Sequence, residues 1–172
     1  MRSVSLFAIG LLTSCGSDNV RFGHVTDDAK QAMHDWCKQR LEMESHMETV
    51  DGKHPLFESP SLLIMHCWNS GSGEQGWLAF DSVSGDLINV TLDLSSSDFD
   101  RIVSRTVLPS LDAEQKTAYD GLRAALGSAT GTVTKSWKKG SAYMDVTAIE
   151  VTVPNTDPIW QLMLGYKMEP RK

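Results

Sequence analysis

Between Asp86 and Leu94 the chain alternates residue by residue. Ile88, Val90, Leu92 and Leu94 fall on one side, and Asn89, Thr91 and Asp93 on the other. Only an extended backbone puts residues two apart on one face, so this segment predicts a strand with one apolar and one wet face. Ser61 to Trp68 is a dense apolar run and reads as a buried strand, and Trp77 to Phe80 reads as another. Ser82-Val83-Ser84-Gly85 is a turn. Connections this short leave no room for the crossover that parallel strands need, so the three segments predict an antiparallel meander.

Helical signals lie on either side of the meander. Thr26 suits an N-cap, with Asp27 and Asp28 in the first turn, where the helix dipole favours carboxylates. Ala29, Ala32, Met33, Trp36, Cys37 and Leu41 then recur at helical spacing, which predicts a helix from 27 to about 43, with Met47 as its outer limit. Residues 49–60 hold Asp51-Gly52, His54-Pro55 and Ser59-Pro60 and predict a loop. After the meander, Ser96 or Ser97 is expected to cap a helix carrying Phe99, Ile102, Val103 and Val107, which Pro109 ends or kinks. Asp112 and Gln115 have capping-box spacing for a further helix with the stripe Ala118, Leu122, Ala125 and Leu126, and Gly127 suits its C′ position.

The last third returns to strand. Thr132 to Lys138 and Ala142 to Val153 flank the turn Lys139-Gly140-Ser141, and Pro154 to Pro158 forms a second turn. Trp160, Leu162, Leu164, Tyr166 and Met168 alternate along a final strand. The order α-βββ-αα-βββ predicts an α+β domain of antiparallel sheet with helices packed on it. Whether the two strand triplets share one sheet stays open. The similar order of the two halves suggests a pseudo-repeat, although no residue-level match joins them.

The chain opens with Met1-Arg2-Ser3 and an apolar run from Val4 to Leu12, followed by Thr13-Ser14-Cys15-Gly16. The run falls well short of the roughly 20 residues that span a bilayer. A positive start, a short apolar segment and small residues make a secretion signal. With a Cys directly after the small pair, Leu12-Thr13-Ser14-Cys15 resembles the lipobox of bacterial lipoproteins. The resemblance covers residues 1–16. It implies that residues 1–14 are a signal peptide and are removed, and that Cys15 becomes a lipidated N-terminus. Its thiol would carry a diacylglyceryl group, and its amine would take a third acyl chain, such as palmitate. One chain holds weakly and two or more hold stably. Residues 15–23 would be the lipidated Cys and its tether, and 24–172 a single domain. Gly16 in place of Asp resembles the outer-membrane sorting pattern. The expected address is the cell envelope, facing the periplasm, with the outer membrane favoured over the inner.

Export would leave Cys37 and Cys67 in a compartment that permits disulfides. Cys37 lies on the apolar face of the first predicted helix and Cys67 in a predicted core strand, so both point inward. A bridge between them is favoured over two buried free thiols. Sixteen Lys and Arg against 22 Asp and Glu leave a net charge of −6. That balance argues against nucleic acid, which demands clustered cations, and against lying flat on anionic lipid.

Motifs for chemistry are few. Gly71-Ser72-Gly73-Glu74-Gln75-Gly76 matches G-x-G-x-x-G, but the dinucleotide fingerprint needs a helix next. Here a predicted strand follows, and Glu74 would repel phosphates, so the segment is expected to be a flexible connection that binds no nucleotide. His24, His34, His46, His54 and His66 form no compact metal spacing. Glu42 and His46 would share a helix face as an exposed contact. His66 and Cys67 are neighbours in a strand and point to opposite faces, which opposes a nucleophilic pair. Asp93, Asp98 and Asp100 surround a serine run without the order of a calcium loop, and helix capping explains Ser96, Ser97 and Asp98. Neither G-x-S-x-G nor a well-placed S-x-x-K occurs. No catalytic residue, metal or cofactor is expected.

Lys135, Lys138 and Lys139 line a hairpin arm, with Trp137 among them. They would grip an anionic partner or stack on a sugar, or simply discourage edge pairing. Trp36, Trp68 and Trp160 read as core, and Trp77 and Trp137 as exposed. Trp77, Lys135, Trp137, Lys138 and Lys139 are therefore the candidate partner surface. The expected function is a non-enzymatic envelope lipoprotein that binds another macromolecule through this domain, with a protein partner favoured. Inhibitors and immunity proteins against secreted enzymes share the profile, and an acidic surface suits a basic partner. The alternative is an accessory structural subunit of an outer-membrane or secretion assembly. A cell-wall or lipid hydrolase ranks third. It would need two of His24, His34, His46, His54, His66, Asp81 and Glu150 to meet in one cleft.

Overall fold

Helix α1 (Asp27–Gln39) starts as its cap signal dictates, with the Ala29 N–H donated to Thr26 Oγ1 at 3.2 Å. The computed structural model describes residues 20–39, 46–51, 61–69, 71–127, 131–150 and 157–167. Ala29, Ala32, Met33, Trp36 and Cys37 form the buried stripe of α1. Helix α2 (Ser96–Thr106) buries Phe99, Ile102 and Val103, and Pro109 sits in the 3₁₀ turn Leu108–Ser110 that ends it. Helix α3 (Ala113–Leu126) opens with a complete capping box. The Gln115 N–H donates to Asp112 Oδ1 at 2.8 Å, and the Asp112 N–H donates to Gln115 Oε1 at 3.0 Å.

The strands are β1 (His46–Asp51), β2 (Ser61–Trp68), β3 (Gln75–Asp81), β4 (Leu87–Ser95), β5 (Val133–Lys139), β6 (Ala142–Ile149) and β7 (Ile159–Tyr166). They form one seven-stranded antiparallel sheet in the order β1-β2-β3-β4-β7-β6-β5. The fold is α+β, and both strand groups join in one sheet along a β4–β7 seam. All three helices cover the same face. Cys37 of α1 is bonded to Cys67 of β2, with Cα atoms 5.9 Å apart. Phe99 of α2 meets Trp160 of β7 with ring centroids 5.8 Å apart, and Glu114 of α3 takes an ion pair from Lys139 of β5 at 2.6 Å. Beneath the helices, Met65, Leu78, Val90, Leu92, Leu162, Leu164, Met144 and Val146 form the sheet's share of one core. Gly76 makes the close approach of α1 feasible, since a Cβ there would lie 2.6 Å from the Trp36 ring.

Several local expectations give way to tertiary contacts. Residues 46–51 are strand, so Met47 is not helical, the loop does not begin at 49, and His46 shares no helix face with Glu42, which lies outside the described residues. Ser95, not Ser96 or Ser97, is the N-cap of α2, and it makes no side-chain cap bond. In α3 the buried positions are Gln115, Tyr119 and Leu126, while Ala125 is exposed. Gly127 is the C-cap and keeps right-handed φ and ψ of −60° and −18°. Burial, aided by the nearby Asp100, raises the pKa of Tyr119 above the usual tyrosine value.

The first described residues are already part of the domain. Residues 20–23 belong to the domain and not to the tether expected over 15–23, since Phe22 is buried and its N–H donates to Tyr166 Oη at 2.9 Å. Burial pushes the Tyr166 phenol up to about 12, against the opposing effect of that N–H. Gly23 donates to Ser110 O at 2.6 Å and accepts from the Leu87 N–H at 3.0 Å. Cys15, His54 and Met168 lie outside the described residues. Among the described residues no helix is long and apolar enough to cross a membrane.

Candidate functional site

The second face of the sheet carries the phase of residues opposite to the core phase, and among the described residues no helix packs on it. Register assembles this face across strands that are distant in sequence. Trp68 lies opposite Gln75, Gln75 opposite Asp93, Asp93 opposite Gln161, Gln161 opposite Thr147, and Thr147 opposite Thr134. This row runs from β2 to β5 near the ends of β2 and β4. Gln75 Nε2 donates to Asp93 Oδ2, and Gln161 Nε2 donates to Asp93 Oδ1 at 2.7 Å. Asp93 was placed on a wet face, yet only 8% of it is exposed. Two amides satisfy its carboxylate, as a buried charge requires. Thr134 and Thr147 share a hydrogen bond of 2.9 Å further along the row.

Beside the polar row stands an aromatic cluster. The His66 ring stacks on Trp68 at 5.2 Å with 24° between planes, and meets Trp77 at 5.2 Å and 57°. Trp68 is 58% exposed and Trp77 37%. Trp68 was expected in the core. It follows His66 by two residues and so shares the open face, while Cys67 between them points into the core. The opposite facing of His66 and Cys67 is as the strand period predicts.

At the other end of this face, Tyr143 lies opposite Lys138 on β5 and Gly165 on β7. A Cβ at Gly165 would stand 2.8 Å from Asn89 Nδ2, so only glycine lets Asn89 reach the Tyr143 hydroxyl. Burial, then the nearby Asp145, raises the Tyr143 pKa. Asp145 Oδ1 is buried without a hydrogen-bond partner.

The structure divides the candidate partner surface. Trp77 sits on β3, and three strands separate it from β5, about 19 Å at the usual strand spacing. On β5, Trp137 is partly buried against the core, and Lys139 pairs with Glu114. Lys135 and Lys139 belong to the helix-side phase of β5, and only Lys138 belongs to the open-face phase. The signal for the polar row was available in part. Gln75, Asp93 and Gln161 each occupy the polar phase of their strand, but the pairing of β4 with β7 is not a local property of either.

The remaining candidates scatter. His24 Nδ1 lies 3.1 Å from Asp86 Oδ1, and His34 Nδ1 lies 4.0 Å from Asp35 Oδ1 on α1. His46 is opposite His66 in register. Asp81 accepts from the N–H groups of Val83 and Ser84 to close the β3–β4 turn, while Glu150 follows β6 at the far end of the sheet. No one cleft gathers His34, His66, Asp81 and Glu150. Among the described residues no group of three His, Cys, Asp or Glu is placed to hold a metal ion. The glycine-rich segment is a connection between β2 and β3. Asn69 Oδ1 accepts from the Gly71 N–H at 2.9 Å, and the buried Glu74 accepts from the Ser95 N–H at 3.0 Å, tying the loop to the start of α2.

Comparison with family models, curated proteins and solved structures finds no match to this chain. The face itself offers exposed rings for apolar contact and fixed amides and hydroxyls for hydrogen bonding, which is the equipment of an interface.

Proposed function

We propose that this chain is an exported lipoprotein, fixed to the cell envelope through Cys15, whose domain holds a protein partner on the open face of its sheet. The observation that carries the reading is the His66–Trp68–Trp77 cluster, two exposed tryptophans joined by a histidine on a face no described helix covers. Large rings clustered at one spot are the usual anchors of an interface, because each buries much area at little entropic cost. The Cys37–Cys67 bridge suits an oxidising compartment. The lipobox-like segment supplies the address. The partner is of the kind that inhibitors and immunity proteins hold, a basic secreted enzyme. Net charge of −6 steers such a partner from a distance. The helix layer contributes part of this charge through Asp27, Asp28, Asp35, Asp98 and Asp100. Charge therefore sets the approach, and the rings set the lifetime of the complex.

The test compares the acylated native chain with a Trp68→Ala/Trp77→Ala variant as baits in envelope extract. The native chain is expected to retain a basic protein that the variant loses by a factor of about 30 or more, the loss typical of hot-spot anchors. Equal capture by both baits would remove the open face from the reading. Intact mass of the native product, with and without Cys15→Ser, reports acylation independently.

A further inference from the structure

We propose that the end of the sheet where the chain enters docks on an anionic phospholipid surface, with Lys138 and Lys167 on headgroup phosphates. The inference rests on acylation at Cys15 and adds an orientation to it.

The first support is the length of the tether and where it lands. Four residues, Gly16 to Asn19, separate Cys15 from Val20, the first described residue. The five steps from Cys15 to Val20 span at most about 18 Å. The chain is then fixed at once. Gln115 Nε2 donates to Arg21 O at 3.1 Å, Phe22 donates to Tyr166 Oη, and Gly23 is clasped between Ser110 and Leu87. A Cβ at Gly23 would lie 2.8 Å from Ser110 O, so the close approach demands glycine. All these partners stand at one end of the sheet, where β4 and β6 begin and β5 and β7 finish. An acyl anchor at Cys15 therefore brings that end near the bilayer. Asp93 and the polar row lie about 20 Å further along β4, on the side away from it.

The second support is the charge on that end. Lys138 and Tyr143 are register partners, and Lys167 Nζ lies 5.9 Å from the centre of the Tyr143 ring, so two ammonium groups flank one tyrosine. The Lys138 ammonium pushes the Lys167 pKa below the usual lysine value, and the Asp145 charge opposes this. Three other described cations of this end have partners. Arg21 and His24 pair with Asp86, and Lys139 pairs with Glu114. Net charge of −6 opposes a flat approach to anionic lipid, but at this end two lysines crowd together with no carboxylate ion pair among the described residues, which suits them to an outside anion. The surface that a short tether forces against them supplies one.

The acylated native chain is reconstituted into phosphatidylcholine vesicles with and without phosphatidylglycerol, and lysine acetylation rates are read by mass spectrometry. Lys138 and Lys167 are expected to react about fivefold more slowly in the anionic vesicles, the factor that one lysine near such a surface commands. Lys38, at the far end of α1, keeps its rate in both. In 1 M salt, where the Debye length is about 3 Å, the protection disappears. Equal rates at Lys138 and Lys167 in the two vesicle types, with acylation intact, overturn the docking alone. Protection by inorganic phosphate in the zwitterionic vesicles also overturns it, in favour of a soluble anion. A native product without acyl groups overturns the anchor and the docking together.

Discussion

The two faces of the sheet are built from the same strands and have opposite fates. On one, Leu78, Val90, Leu92, Leu162 and Leu164 vanish beneath the helices. On the other, Trp77, Thr91, Asp93, Gln161 and Met163 sit one residue away in the same strands, beneath no described helix. The pleat sorts side chains into two sets, and what covers each set decides which is core. Strand β2 makes the point most sharply. Its alternate sets, Leu63, Met65 and Cys67 against Leu62, Ile64, His66 and Trp68, are both rich in apolar side chains. Alternation alone cannot say which faces α1. The disulfide says so, because Cys37 lies above only one of them.

The largest test of this contrast is the bridge on the covered face. Removing it as Cys37→Ala/Cys67→Ala, or by reduction, frees a loop whose ends are 30 positions apart. The chain-entropy account predicts a loss of about 3–4 kcal/mol, measurable as a lower denaturant midpoint. Next comes Gly76→Ala, also on the covered face. Its methyl would press on Met33 and on the Trp36 ring, and an overpacked core of this kind loses about 1–3 kcal/mol in the same measurement. Smallest is Trp68→Ala on the open face. With Trp68 58% exposed, the midpoint should move by less than about 0.5 kcal/mol, even though the residue is larger than either of the others. A loss as great as that of Gly76→Ala would mean that something covers the open face, and the contrast between the faces would fail.

Much of the architecture was legible in local signals. Thr26 and the Asp112–Gln115 pair cap their helices as written, and the alternation from Asp86 to Leu94 became β4. What escaped depends on distant partners. Strand β1 has the sequence His-Met-Glu-Thr-Val-Asp, with no clean alternation, and it exists as a ladder on β2. The start of α2 looked like a serine cap, whereas the Ser95 N–H is taken by Glu74 from another loop. The polar row on the open face needs the register of β4 against β7, which neither strand encodes by itself. A dense apolar run such as Ser61 to Trp68 reads as buried on both sides, whereas the described helices roof one side alone and leave Trp68 exposed.

The β4–β7 seam also sets a timetable. Val90 meets Leu164 only after α2, α3, β5 and β6 have been traversed. The first four strands can zip together as a local meander, but β4 then waits with an open edge for a late arrival. Long-range pairing of this kind is slow, and a waiting edge invites a strand from another molecule. Two copies caught at that stage can complete each other by trading β5–β7, giving an exchanged dimer with every native pair intact. Conditions that lengthen the wait, such as dense expression, would therefore select between monomer and dimer without any change in the final contacts.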